Sequence, residues 1–304
     1  MSDRPPSRAA IITAFAVIYL VWGSTYLAIR IAVETIPPFV MAGTRFVIAG
    51  VLLFAFLRAR GAAWPNAAQW RDHAITGFFL LLGGNGLVAW AEQTIPSGIT
   101  ALIIGVTPLF MALVAWAWPG GNPPRAATVG ALFIGLGGVA WLVAPWEHAP
   151  AGGVLPLAGV GALLAACALW AIGSIHARKV SSGADPMIGA AIQMLLGGIM
   201  QLVAAGALGE FARFESATVP AAAWGAFIYL VLVGSLVGFS TFVWLMRHST
   251  PALVSTYAWV NPIVAVWLGW LIQGEPVSAR TLSAAAIIVL AVTIITAQRA
   301  KTTG

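Results

Sequence analysis

Of 304 residues, 60% are hydrophobic and 8% charged, and the mean hydropathy is +0.93. Soluble domains carry about 25% charged residues, so an ordinary soluble enzyme or binding module is excluded. The net charge of +6 is spread singly or in pairs at the ends of apolar runs, which is a topology signal and not a nucleic-acid patch.

Runs long enough to cross a hydrocarbon core of about 30 Å are predicted in chain order at 9–29, 38–57, 74–95, 97–118, 126–144, 156–176, 187–208, 221–246, 250–272 and 280–297. The leading MSDRPPSRAA carries two arginines, as a signal peptide does. The run after it is longer than a typical h-region and no small-x-small cleavage site follows, so it reads as the first span. Loops are short throughout, and no extramembrane domain is expected. Thirty-three glycines suit helices that approach closely in a membrane bundle. Cys167, the one cysteine, lies inside an apolar run and reads as packing.

With the N-terminus inside, the cytoplasmic segments hold Arg4, Arg8, Arg58, Arg60, Arg71, Arg125, Arg178, Lys179, Arg247, Arg299 and Lys301, and the outer loops only Arg30, Arg213 and Arg280. That bias places both termini in the cytoplasm. The chain also repeats itself: Pro108 and Pro262 are 154 residues apart, as are Trp116 and Trp270, and Leu20 to Ser24 is echoed by Leu169 to Ser174. Five spans per half inverts the second half relative to the first. The expected architecture is an all-α membrane protein of ten spans in two inverted five-helix repeats, residues 1–150 and 151–304, with a substrate site near the midplane between them.

No catalytic, nucleotide-binding or haem-attachment motif is present, and no cofactor or metal is expected. His73, His148, His176 and His248 fall at or near span ends, where solvation is the default reading. The polar residues of interest are instead paired with aromatics one helical turn apart: Trp22 with Tyr26 and the nearby Ser24, Trp170 with Ser174, Ser240 with Trp244, and Tyr257 with Asn261. A ring beside a hydrogen-bonding group suits a small amphipathic solute. Trp64, Trp70, Trp118, Trp141 and Trp146 fit interfacial anchors. Asn85 and Asn261 need partners in lipid, and Pro108 and Pro262 free the carbonyls of Ile104 and Ala258 and bend their helices. A cavity between spans 1, 3, 4, 6, 8 and 9 would be lined by Trp22, Ser24, Tyr26, Asn85, Trp90, Thr107, Trp170, Ser174, Ser240, Trp244, Tyr257 and Asn261.

Arg45 and Glu92 are the intramembrane charges, both in the outer part of their spans. They are expected to pair with each other or with Glu34, Glu275 or Arg280 at the outer mouth, as a structural ion pair or a gate. Glu92 is also the best-placed carboxylate for proton coupling. Spans 5 and 10, with Gly130, Gly135, Gly137 and Gly138 and with Ser283 to Ala286, read as packing helices for a scaffold or a dimer contact.

The whole pattern resembles the EamA group of the drug/metabolite transporter superfamily. The residues that carry the match are Trp22-Gly23-Ser24, Arg45-Phe46, Ile95-Pro96-Ser97-Gly98, Thr107-Pro108, Asn261-Pro262 and Gly274-Glu275-Pro276. The resemblance implies a bacterial inner-membrane secondary transporter, monomer or weak homodimer, that moves small metabolites outward by alternating access. Related plastid proteins hold phosphate with basic residues, and the middle of this bundle offers almost none. Aromatic-rich faces favour neutral or zwitterionic solutes, with aromatic and bulky amino acids first. Toxic amphipathic compounds are an alternative cargo, and a membrane-embedded enzyme acting on lipids or headgroups, or a structural subunit, an alternative class.

Overall fold

The computed structural model describes residues 6–121, 123, 126–143, 155–179, 185–249, 254 and 257–300. These fold into helices α1 (Arg8–Val33), α2 (Pro38–Ala59), α3 (Ala67–Ala91), α4 (Ser97–Ala117), α5 (Ala126–Val143), α6 (Leu157–Lys179), α7 (Pro186–Ala207), α8 (residues 221–248), α9 (Tyr257–Gln273) and α10 (Ala279–Ala300). Seven of them, α1 to α4 and α6 to α8, are long and apolar enough to cross a membrane. The apolar stretches of α5, α9 and α10 are shorter within the described residues. The expected division between the repeats, at residue 150, lies outside the described residues, as do Trp146 and His148.

Helix starts follow from local chemistry. Ser7 caps α1 through the Ala10 N–H, and Asp185 caps α7 through the Met187 N–H ahead of Pro186. Asn66 and Gln69 form a reciprocal capping box at α3. α2 and α4 differ: each begins after a proline, Pro37 or Pro96, that has no side-chain oxygen to offer the first turn.

Helices pack in pairs related by a shift of five. α1 lies on α9 as α6 lies on α4; α3 meets α6 as α8 meets α1; α3 meets α7 as α8 meets α2. α2 with α7, α5 with α10 and α4 with α9 are pairs that the shift maps onto themselves. The two halves therefore interlock instead of standing side by side. Close approach is secured by glycine at α2–α7, where a Cβ on Gly50 would sit 2.5 Å from the Leu195 nitrogen and one on Gly198 2.8 Å from the Gly43 carbonyl oxygen. α5 and α10 meet through Gly138 on Ile287 and Ile288 and through the Trp141 indole N–H donating to Ser283 Oγ at 2.9 Å. This is the packing role read for spans 5 and 10.

Three breaks in helical geometry matter for the site. α4 is interrupted at Gly105-Val106 and restarts at Thr107, so Pro108 sits in a first turn, where its missing N–H costs nothing. α3 runs as π-helix from Phe78 to Asn85, and α8 does so from Leu230 to Val237, at corresponding places in the two halves. π-helical turns are rare and concentrate at functional sites.

Gly50→Ala should push α2 off α7 and lower stability by about 1–3 kcal/mol. Gly130→Ala, where a Cβ meets nothing within 4 Å, should stay within about 0.5 kcal/mol of the parent. Thermal unfolding of the two purified variants side by side checks the contrast.

Candidate functional site

An aromatic enclosure forms where α1, α8 and α9 meet. The Trp22 ring lies 5.0 Å from Tyr257, 5.1 Å from Phe242 and 6.0 Å from Phe239 between centroids, and Phe242 lies 6.3 Å from Tyr257. Edge-to-face geometry, as between Trp22 and Tyr257, suits the ring quadrupoles. Gly238 makes room for the indole, since a Cβ there would stand 2.7 Å from Trp22 Nε1. Of the residues named from sequence, Trp22 and Tyr257 are thus brought together. Phe239 and Phe242 were missed because only tryptophan and tyrosine were paired with polar residues, although Ser235 stands one turn before Phe239.

Around this enclosure the polar residues are engaged mainly with backbone. Ser24 Oγ donates to the Val21 carbonyl at 2.9 Å and in turn accepts from the Tyr229 hydroxyl at 2.6 Å, tying α1 to α8. Asn261 is buried; with its amide nitrogen turned to the two carbonyls that face it, it donates to Tyr257 O at 3.1 Å and Tyr19 O at 3.3 Å. Thr107 Oγ1 donates to the Ile104 carbonyl at 2.6 Å, the acceptor that Pro108 leaves open. Cys167 Sγ approaches the Ile103 and Ile104 carbonyls at 3.8 and 4.0 Å from α6. The Pro262 ring faces Gly105, where a Cβ would come within 3.4 Å, so the two proline-marked helices touch at the interruption of α4.

Trp170 packs against the α3 π-segment over Gly84, next to Asn85, and joins a cluster that includes Leu236 and Phe239. Asn85 Oδ1 is buried without a hydrogen-bond partner. Tyr26 packs on the main core, Ser174 and Ser240 are half-buried on α6 and α8, and Trp244 stacks on His248 at 4.5 Å. Trp90 is 38% exposed near the end of α3 and makes no contact with the aromatic cluster.

Each π-segment receives a polar side chain from the other half. Gln201 on α7 donates to the Leu81 carbonyl in α3, and Arg45 on α2 donates through Nε to Ser235 Oγ in α8 at 2.8 Å. Gln201 was passed over in the sequence because it adjoins neither an aromatic nor a proline, and Ser235 because its neighbour one turn on, Phe239, is neither a tryptophan nor a tyrosine. At the opposite end of the bundle from Arg45, the Thr76 hydroxyl donates to Asp72 O, so His176 Nδ1 is the donor to Thr76 at 3.1 Å, and Gln193 donates to His73 Nδ1 at 3.1 Å. These histidines join α3 to α6 and α7, beyond the solvated role expected of them.

Arg45 and Glu92 do not form the expected ion pair. Arg45 is directed at Ser235 with Nη1 unpartnered, and both Glu92 carboxylate oxygens are buried without a partner. The nearer claim on α3's end is Arg30, which donates to the Glu92 backbone carbonyl. Glu275 is drawn elsewhere by free amides: Oε1 accepts from Ser97 N at 2.7 Å and Ser97 Oγ at 2.8 Å, and Oε2 from Gly98 N at 3.0 Å. Arg280 lies over the Trp141 ring at 5.6 Å. A further carboxylate, missed from sequence, acts like Glu275: Glu210 Oε2 accepts from Phe39 N at 3.0 Å and Val40 N at 2.9 Å.

The fold and this site define a multi-pass membrane protein built from two repeats, with an aromatic and polar interior where the repeats interlock. The EamA-like transporter family matches residues 9–144 and again residues 157–297, and the chain belongs to that family. It is a membrane transporter on that account. The inner membrane transporter YedA of Escherichia coli strain K12, described as uncharacterized, is 37% identical over 93% of this chain and 89% of its own length. The transporter YvbV of Bacillus subtilis, also described as uncharacterized, is 24% identical over 97% of this chain and 93% of its own. One solved crystal structure shares the fold, with a TM-score of 0.63 at 22% identity, covering 95% of this chain and 98% of that one.

The Ser24–Tyr229 contact should be worth about 0.5–1.5 kcal/mol. A double-mutant cycle of Ser24→Ala and Tyr229→Phe, read by unfolding in detergent, should return a coupling of that size; additive single effects would mean that the pair does not tie α1 to α8.

Proposed function

We propose that the protein is an inner-membrane secondary transporter that exports small metabolites by alternating access, amino acids with aromatic or bulky side chains first. In this reading ten spans form two inverted five-helix repeats with both termini cytoplasmic. The observation that carries it is the Trp22, Phe239, Phe242 and Tyr257 cluster, which brings aromatic rings of both repeats into mutual contact. Stacking on such faces is worth about 0.5–1.5 kcal/mol per ring pair beyond area burial.

The topology draws support from the connection of α2 to α3. Arg58 lies over the Trp64 ring at 5.0 Å and Arg60 over Phe56 at 5.7 Å, and Trp64 is 66% exposed. Basic and aromatic groups together at a helix end suit a cytoplasmic membrane interface. The corresponding helix breaks in α3 and α8, and the contact of Gly105 with Pro262, support motion of one repeat against the other about the enclosure. The inner-membrane location follows the name of the Escherichia coli relative.

Proteoliposomes holding the purified protein should take up radiolabelled phenylalanine, tyrosine or leucine saturably, without a pH gradient. Trp22→Ala should weaken apparent affinity for the aromatic substrates by about two- to tenfold and affect leucine less. No uptake of any amino acid by folded, monodisperse protein would overturn the cargo assignment.

A further inference from the structure

Two glutamates of the second repeat are placed in the same way. α7 ends at Ala207 and the chain turns at Gly209 with φ +67°, Glu210 following; α9 ends at Gln273 and the chain turns at Gly274 with φ +64°, Glu275 following. The left-handed turn that glycine adopts without strain swings each following carboxylate out of its own helix. Each lands on a first-repeat helix whose first turn has only a proline before it, Glu210 on α2 after Pro37 and Glu275 on α4 after Pro96. The first N–H groups of a helix lack internal partners and carry its positive end, so a carboxylate is the group that suits them.

The seats are shaped for these side chains. A Cβ on Gly269 would stand 2.4 Å from Glu275 Oε2, and one on Gly98 3.4 Å from the same atom. Glu210 is buried, and a third, exposed link runs from Gln273 Nε2 to Glu34 Oε1 at 3.1 Å. All of these contacts join first-repeat to second-repeat residues at one end of the bundle, which is the outer end in the topology proposed above.

We infer that Glu275 latches the outer end of the transporter shut, and that opening outward requires its carboxylate to leave the α4 end, while Glu210 caps α2 inside the closely packed α2–α7 pair and stays seated. Beneath the latch lie groups that favour opening. Both Glu92 oxygens and Arg45 Nη1 are buried without partners, and Glu92 is within electrostatic reach of Glu275, Arg30 and Arg45. Water entering from outside would satisfy them. Closed, the Glu275 cap is made and these groups are unsatisfied; open, the reverse holds. Opposed terms of this kind make an element with two states instead of a rigid seal.

The test is thiol labelling, which needs no substrate. In a Cys167→Ser background, Thr100→Cys places a probe at a fully buried position one turn inside the α4 end. A membrane-impermeant maleimide is applied to right-side-out and inside-out vesicles. Glu275→Ala should raise labelling from the outer face severalfold, and Glu210→Ala, whose cap lies within the α2–α7 framework, should stay near the parent. Gly269→Ala, which evicts Glu275 without removing it, should match Glu275→Ala, and Glu275→Gln should lie between it and the parent. Glu92→Leu, which removes the unpartnered oxygens, should slow labelling. Unchanged outer labelling in the folded Glu275→Ala variant, or a rise confined to the inner face, would overturn the latch. A failure of amino-acid uptake would leave this readout intact.

Discussion

A backbone carbonyl or amide in lipid must find its partner inside the protein, and the rest of this structure depends on how that demand is met. Continuous helices meet it alone. Here α4 is interrupted, α3 and α8 carry π-segments, and α2 and α4 start without caps. Thr107 answers for α4 from within, through the Ile104 carbonyl. The others are answered from the opposite repeat: Gln201 at the α3 π-segment, Glu210 at α2, Glu275 at α4. Arg45 reaches the α8 π-segment from α2 in the same sense. Irregular backbone therefore exists in this protein mainly where the two repeats touch, and each irregularity is also a joint between them.

Two kinds of interface follow. α2 with α7, and α5 with α10, meet through glycine and small apolar residues at distances that leave no room for a methyl group at Gly50 or Gly198. Such contacts resist sliding because the packed surfaces cannot deform by small steps. The helices α1, α3, α4, α6, α8 and α9 meet instead through aromatics, hydroxyls and broken turns. Discrete hydrogen bonds can be exchanged for water one at a time. Rigid framework and adaptable interior are thus separated by residue type, and the separation follows the repeat.

Much of this was legible in the sequence. Hydrophobic run length gave the helices, the Pro108 and Pro262 echo gave the repeat, and glycine content singled out α5 as packing. The enclosure was half legible: Trp22 and Tyr257 carried the signal of a polar neighbour, whereas Phe239 and Phe242 look like any apolar lining until α8 is placed against α1. Trp90, near the end of α3, lies apart from that cluster, because helical spacing alone does not say which neighbours a residue at a helix end will meet. The Arg45–Glu92 pairing failed for another reason. Opposite charge says that two groups attract, but a hydroxyl at 2.8 Å settles where the guanidinium points. The π-segments had no signal to read, since Phe78 to Asn85 and Leu230 to Val237 are ordinary apolar helix in composition.

The interior polar groups bear on selectivity in a way that their side-chain type alone does not reveal. Ser24, Thr107 and Asn261 are the residue types expected to hydrogen-bond a solute, yet each is hydrogen-bonded to backbone or, for Ser24, also to Tyr229. A solute that took those bonds would have to break them, and the net gain of such an exchange is small. What the enclosure offers without that cost is the faces and edges of Trp22, Phe239, Phe242 and Tyr257. Recognition in the proposed reading therefore rests on ring contact and shape, while the hydroxyls and the carboxamide hold the bent helices in register. In that reading such a surface would discriminate by size and flatness more than by functional group, admitting aromatic and bulky solutes and leaving small polar ones without purchase.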